Sequence, residues 1–398
     1  MDSIPMAYAE TSGPSFQRRD WFVLPVVALV TALGIVGLAE VAARIVFPQQ
    51  REILASCFVL NDAVHGVRGK PGCTFVETGR ESGQVSYLFD RHGYRNPGGW
   101  SSADAYRIVM TGSSIALAEH VPQAQSVAAV LPQLVQERTG SPTTLYNEGM
   151  GFGFARNTDL RFQDVLDASP NLILWMITPY DIAGASLVNP TMNLVSWGNQ
   201  SLQSKILSRM QSYFENESFQ QAASDFLGRT RIAYAFRYFV YRSPSLYLKS
   251  YLSQADSEQG FLRDSYSLEW RRDLQEVQSY AADISRQAHA AHVPLVIVYV
   301  PNHAQSEMVA LGTWPSGYDP YQLDDILHRI VAKQGDIYLD ILPGYHNISL
   351  SEIQQDYLVV DGHPNARGQA LIARLIAQQL TSGIIPALRT QQPVGKEQ

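Results

Sequence analysis

One apolar run in this chain ends at Thr111-Gly112-Ser113-Ser114, and close to the carboxyl end stands Asp361-Gly362-His363-Pro364-Asn365. A serine hydroxyl becomes a useful nucleophile when an imidazole takes its proton, and the imidazole needs a carboxylate to orient it. Ser114, His363 and Asp361 supply those three types. A Gly-Ser turn where a strand meets a helix lifts a hydroxyl out of a sheet and aims backbone N–H groups at an anion. A second run ends at Asn147-Glu148-Gly149-Met150-Gly151-Phe152-Gly153, whose alternate glycines let the backbone approach a substrate closely. A third ends at Thr178-Pro179-Tyr180-Asp181, and Pro301-Asn302-His303 follows a fourth. Asn147 and Asn302 are read as substrate contacts, although a loop turn explains Asn302 more simply. Other chemistries have less footing. The nine histidines include no i, i+4 pair with a Glu between them, so no metal is assigned. No Walker loop occurs, and no Gly-x-Gly-x-x-Gly follows the first strand, so no cofactor is assigned.

These residues act together only if a scaffold brings them to one edge. Short apolar runs at 106–111, 143–147, 172–177, 294–300 and 336–341 are expected as strands. Helical patterns at about 126–138, 157–167, 267–291, 322–333 and 366–380 alternate with them or follow them. That alternation implies βαβ units and a parallel sheet covered on both faces. The expected fold is a flavodoxin-like three-layer α/β sandwich with a five-stranded parallel sheet. In such a sheet, ligands bind beyond the carboxyl ends of the strands, where these polar clusters are expected to fall. One connection is oversized: a helical insert at about 183–265 runs for roughly 80 residues, where a few are usual. From Phe226 to Ala255 it has no acidic residue but carries Arg229, Arg231, Arg237, Arg242 and Lys249 among eight Tyr and Phe. An amphipathic cap on the sheet is the plain reading; a surface for sugar rings or anionic headgroups is the sharper one.

Composition limits the class. The 398 residues are 45% hydrophobic and 17% charged, with 30 Lys and Arg against 37 Asp and Glu. The resulting charge of −7 argues against a nucleic-acid partner. Hydrophobicity is concentrated at the front, where Trp21 to Ala39 runs 19 residues without a charge. A bilayer-spanning helix needs about 20 mostly apolar residues. The expected layout is a cytoplasmic tail at 1–20, a transmembrane anchor at 21–46, an extracytoplasmic lead-in at 47–105, the α/β domain at 106–380 and a flexible tail at 381–398. A cleaved signal peptide is the rival, but its apolar core is shorter. Single-pass residence in the inner (plasma) membrane puts the bulk of the chain in a periplasmic or extracellular space. Two cysteines exclude a disulfide-dense scaffold or a four-Cys zinc site, while Cys57 and Cys73 suit one disulfide in that oxidising compartment.

The polar clusters resemble the blocks of the SGNH hydrolases, the GDSL-type esterase and acyltransferase superfamily, from about residue 90 to 380. Gly112-Ser113-Ser114 is similar to its first block and Asn147 to Gly153 to its glycine block. Asp361-Gly362-His363-Pro364-Asn365-Ala366-Arg367-Gly368 is similar to its last. Arg91-His92-Gly93-Tyr94-Arg95-Asn96 looks like a segment of membrane-anchored bacterial members. The resemblance implies Ser114 as nucleophile, with His363 as base and Asp361 as its orienting group. It also implies an oxyanion held by the N–H of Ser114 and a glycine-loop N–H at Gly151 or Gly153. Three departures stand out. Ser113 replaces the usual Asp. Asp361 and His363 are two apart rather than three, as in the branch acting on cell-envelope polysaccharides. Tyr180 replaces the Asn that donates to the oxyanion, and its hydroxyl is assigned that task. The implied function is an extracytoplasmic serine esterase or O-acyltransferase on acyl, above all acetyl, esters of an envelope glycan or glycolipid. Polysaccharide-assembly proteins are further partners. The alternative is a catalytically degenerate domain that binds polysaccharide or a protein partner.

Overall fold

The computed structural model describes residues 19–48, 57–62, 64–96, 105–151, 154–183, 185, 230–254 and 259–390. The front helix α1, Asp20–Val46, contains the whole uncharged run and exposes it along its length. Two antiparallel hairpins follow, β1 (Phe58–Asp62) with β2 (Gly66–Gly69), and β3 (Thr74–Gly79) with β4 (Gly83–Leu88). A disulfide joins Cys57 to Cys73 and so ties the start of one hairpin to the start of the other.

The main sheet is built from β5 (Tyr106–Gly112), β6 (Thr143–Asn147), β7 (Leu172–Ile177), β8 (Leu295–Tyr299) and β9 (Ile337–Leu339), all parallel, in the order β6-β5-β7-β8-β9. The chain crosses over once, between β6 and β7, which creates a switch point beside β5. Strand residues alternate between two cores. Val109, Ile173, Trp175 and Ile297 face one side, and Ile108, Met110, Leu174 and Val298 the other.

Several helices cover or flank the sheet. The turn α2 (Ser114–Leu117) follows β5, and α3 (Val127–Thr139) precedes β6. The single helix expected over 157–167 is two, α4 (Ala155–Leu160) and α5 (Phe162–Asp167), broken at Arg161. Buried Arg161 gives its guanidinium to the Glu148 carbonyl of the glycine loop. Past β7 come the short α6 (Pro179–Ile182), then insert helices α7 (Arg231–Tyr241) and α8 (Pro244–Leu252), then α9 (Leu268–Ala290). Trp270, Val277 and Ile284 of α9 face the sheet. Beyond β8 lie α10 (His303–Leu311) and α11 (Gln322–Gln334), and beyond β9 lie α12 (Leu350–Asp356) and α13 (Ala366–Gln379). Most of the expected helical insert, from 186 to 229, lies outside the described residues.

The carboxyl-terminal segment departs from expectation. Rather than a free tail from residue 381, the chain buries Ile385 and Leu388 in the core under α3 and α13 and is described to residue 390. Ile384, Ile385 and Leu388 lie too close together in a ten-residue stretch to show the periodicity that marks core.

Candidate active site

Ser114 is placed by glycine geometry. At Gly112 φ is +140°, and a Cβ there would come 2.4 Å from the Met176 carbonyl oxygen of β7. Only glycine lets β5 end so close to its neighbour. Ser113 stands just before α2, and its hydroxyl, rather than capping the helix, donates to buried Asp181 at 3.0 Å, which also accepts from the backbone and hydroxyl of Thr178. Ser113 thus couples the first strand end to the third.

After α2 the chain makes an unusual turn, with Ala118 at φ +59° and His120 at φ +65°. Non-glycine residues hold such angles only where surrounding bonds over-determine them. Buried Arg95 is the main clamp. Its guanidinium donates to the carbonyls of Leu117, Ala118 and Val121 at 2.6–2.9 Å and stacks 4.0 Å above the Tyr87 ring. Asn96 beside it exchanges two bonds with the backbone of Asn147. The Arg91–Asn96 segment therefore sets both the serine turn and the glycine loop.

The last block closes on Ser114. His363 Nε2 lies 2.8 Å from Ser114 Oγ, and His363 Nδ1 lies 2.6 Å from Asp361 Oδ1. Gly362, at φ +84°, lets the chain fold back so that the Asp361 carboxylate also accepts the His363 N–H. The two-residue spacing therefore still seats carboxylate and imidazole side by side. With Nδ1 facing a carboxylate, the ring proton sits there and Nε2 offers a lone pair to the serine hydroxyl. Asn365 caps α13, which begins immediately after this loop.

Three residues absent from the sequence reading of the site complete it, and two of them come from the lead-in hairpin. The second Asp361 oxygen lies 3.4 Å from Nε2 of buried His120, whose Nδ1 lies 3.0 Å from the fully buried Glu77 of β3. Tyr87 of β4 donates its hydroxyl to the other Glu77 oxygen and accepts the His120 N–H. The rings of His120 and His363 meet edge to face at 5.4 Å. At the hairpin tip, Glu81 gathers the N–H groups of Val359, Val360 and Asp361 on one carboxylate and accepts the Tyr234 hydroxyl of α7. The only sequence signal was a Glu-His pair inside an apolar stretch. Glu77 and Glu81 look like ordinary surface acids until the hairpin folds over the loop.

The charges follow from these contacts. Burial pulls His120 down, but its bonds to Asp361 and Glu77 push it up to about 11, so it is an imidazolium at neutral pH. Burial raises Asp361, but the two histidines outweigh it and hold the carboxyl well below the usual range. Burial lowers His363, and Asp361 outweighs it, leaving His363 raised above its ordinary value. Donor atoms of His120, Asp361 and His363, and of Glu77, Glu119 and His120, come within 4.8 Å of one another. Both sets depend on His120, which has a carboxylate at each ring nitrogen and so no lone pair for a metal.

The remaining predicted residues fall in different places. Asn147 and Asn302 are corrected. Both are buried, and their polar atoms serve the scaffold. Asn147 donates to the Ala116 carbonyl and accepts from Gly149 N–H. Asn302 caps α10 and donates to the Tyr251 hydroxyl of α8. An Asn at a strand end can serve a ligand or a turn, and only burial separates the two. Gly151 packs against Phe58 of the lead-in, and Gly153 lies outside the described residues. Half-exposed Tyr180 has its hydroxyl 3.5 Å from that of Tyr251.

No family model and no curated protein matches the chain. Solved structures are similar at low identity. A G-D-S-L family protein from Desulfitobacterium hafniense DCB-2 aligns at 12% identity, over 69% of this chain and 99% of that one, with a TM-score of 0.37. The acetylxylan esterase Axe2 from Geobacillus stearothermophilus aligns at 11% identity over 71% and 95%, with a TM-score of 0.39. TesA aligns at 11% identity over 69% and 98%, with a TM-score of 0.38. At such distance no residue role passes from them to this chain.

Proposed function

We propose that this chain is a membrane-anchored, extracytoplasmic SGNH-type serine esterase or O-acyltransferase, acting on acyl esters, above all acetyl, of a cell-envelope glycan or glycolipid. One observation carries the reading: the unbroken line from Ser114 Oγ through His363 to Asp361, at 2.8 and 2.6 Å. In the first half-reaction Ser114 Oγ attacks the ester carbonyl and its proton passes to His363 Nε2. Charge moves to the carbonyl oxygen, received by backbone N–H groups of Ser114 and of the Gly151–Gly153 loop, with Tyr180 as a side-chain donor. Collapse expels the alkoxide, which takes the proton back from His363. Water or a sugar hydroxyl then attacks the acyl-serine by the same route in reverse. Asp361 stays ionised, orienting the ring and stabilising its cation.

The purified chain should hydrolyse p-nitrophenyl acetate and be labelled by a fluorophosphonate at Ser114. Ser114→Ala should lose both; an unchanged hydrolysis rate in that variant sinks the assignment. The second reading, a degenerate domain that binds polysaccharide or an assembly partner, rests on Tyr180 standing where an Asn donor is expected. It predicts glycan binding that survives Ser114→Ala and a parent chain that takes no label.

A further inference from the structure

Among the described residues, a short chain of contacts runs from the front helix to the active site. Glu40 of α1 accepts the N–H groups of Arg231 and Ile232, the first two residues of α7. Phe47, just past α1, packs its ring 5.2 Å from those of Tyr234 and Tyr238. The pairs 40 with 231 and 47 with 238 show that α7 runs beside the end of α1 in the same direction. Tyr234 then reaches Glu81, and Glu81 holds the backbone of residues 359–361. Two side chains thus separate the end of α1 from the loop that carries Asp361. Between them lies a cleft of about 200 Å³ bordered by Arg80, Ser82, Tyr234, Arg237, Val360 and Asp361.

The height of this assembly above a bilayer follows from helix rise. The uncharged run ending at Ala39 spans about 28 Å as a helix, close to the roughly 30 Å hydrocarbon core, so Glu40 stands at its outer boundary. The headgroup layer extends roughly 5–8 Å further. Phe236, five residues along α7 from Arg231, is about 7.5 Å up, and helical side chains lean toward the helix N-terminus, here the membrane end. Phe236 and Phe239 are 67% and 66% exposed, on the side of α7 away from buried Tyr234. Arg237 and Arg242 of the same stretch, and Lys249 of α8, are also exposed, and from residue 226 to 255 no acidic residue occurs. An exposed aromatic at that height, in a stretch rich in cations, matches an anionic interface, while Phe239, eight residues from Arg231 and about 12 Å up, stands above the layer.

We propose that the first turns of α7, up to Phe236, together with the last turns of α1, lie in the headgroup layer of an anionic bilayer, and that the site therefore takes a membrane-borne acylated glycolipid rather than a soluble polysaccharide. The inference rests on α1 spanning the bilayer and on Ser114 being the nucleophile. The full chain carrying Phe236→Cys, its native disulfide intact, is spin-labelled in nanodiscs of mixed phosphatidylglycerol and phosphatidylcholine. A water-soluble nickel chelate should relax this label less, and oxygen more, than the same label on Phe239→Cys, which stands above the layer. Equal relaxation by the chelate at the two positions overturns the docking, as does shielding of the Phe236→Cys label from both agents, which would mean the chain covers its own face. In the same nanodiscs, Phe236→Ser should turn over an acetylated glycolipid roughly tenfold more slowly, with hydrolysis of water-soluble p-nitrophenyl acetate unchanged. Equal losses on both esters, or none, overturn the substrate assignment. A parent chain inert toward both esters defeats the enzyme reading and with it the substrate half of this inference, while the spin label still decides the docking.

Discussion

Replacing His120 with glutamine removes the cation beneath Asp361 while keeping a neutral N–H donor in its place. His120 and His363 lie 5.4 Å apart by ring centroid, and at an effective dielectric of about 20 two unit charges at that distance repel by about 3 kcal/mol. His363 is only partly buried, so solvent removes a share of this; half of it remaining is about 1.5 kcal/mol, close to a factor of ten. Without the His120 cation the protonated form of His363 is favoured further, because the repulsion is gone and Asp361 turns its whole charge toward one imidazole. The base must be neutral to accept the Ser114 proton. The acid limb of kcat/KM against pH should therefore move to higher pH, with activity on that limb falling roughly ten- to hundredfold and the alkaline plateau changing less. The assay is p-nitrophenyl acetate hydrolysis by the full chain from about pH 5 to 9, with melting curves confining the comparison to conditions where the variant is folded. A purely structural defect would lower the whole profile without moving the limb. A limb that stays in place, or moves to lower pH, refutes the electrostatic account of His120.

Glu81→Ala frees the backbone of residues 359–361 and should lower kcat more than about tenfold while changing KM little, because bonds to a charged acceptor contribute about 1.5–3 kcal/mol each. Glu81→Gln should fall between it and the parent in steady-state assays. Reduction of the Cys57–Cys73 disulfide, which closes a loop of sequence separation 16, should cost about 3 kcal/mol in urea unfolding of the full chain. An unchanged midpoint would mean that the lead-in is not part of the cooperative fold. Because His120 is raised from 6.5 to about 11 in the folded chain, its contribution to stability is fully present below pH 6.5 and is lost as pH rises through about 11. The melting-temperature gap between parent and His120→Gln should accordingly narrow on the alkaline side.

The parallel sheet was legible because its strands are buried on both faces and read as continuous apolar runs, most plainly at Leu172–Ile177. The helix α10 was not, since its start at Asn302 and His303 is buried and polar and resembles a turn. His303 is stacked between the rings of Tyr247 and Tyr357, an arrangement that no local pattern announces. The lead-in hairpin was passed over for a related reason. Its strands are short, and Glu77 and Glu81 mark a surface in any reading of hydropathy. Pairing of Thr74–Gly79 with Gly83–Leu88 is what places Glu77 inward, against His120, and the 80–82 turn over the last block.

By itself the sequence determined the uncharged front helix, the five strands of the main sheet, and the serine, histidine and aspartate whose types suit one site. Each of these rests on local features: hydropathy, period and turn chemistry act over a few residues. Tertiary structure alone decided which polar residues face the site and which serve the scaffold. Asn147 and Asn302 moved to the scaffold, while His120, Glu77 and Glu81 moved to the site. The reason is that burial and ion pairing depend on groups far apart in the chain, and a carboxylate such as Glu77 changes from a solvated charge to the partner of an imidazolium only when β3 folds against the His120 turn.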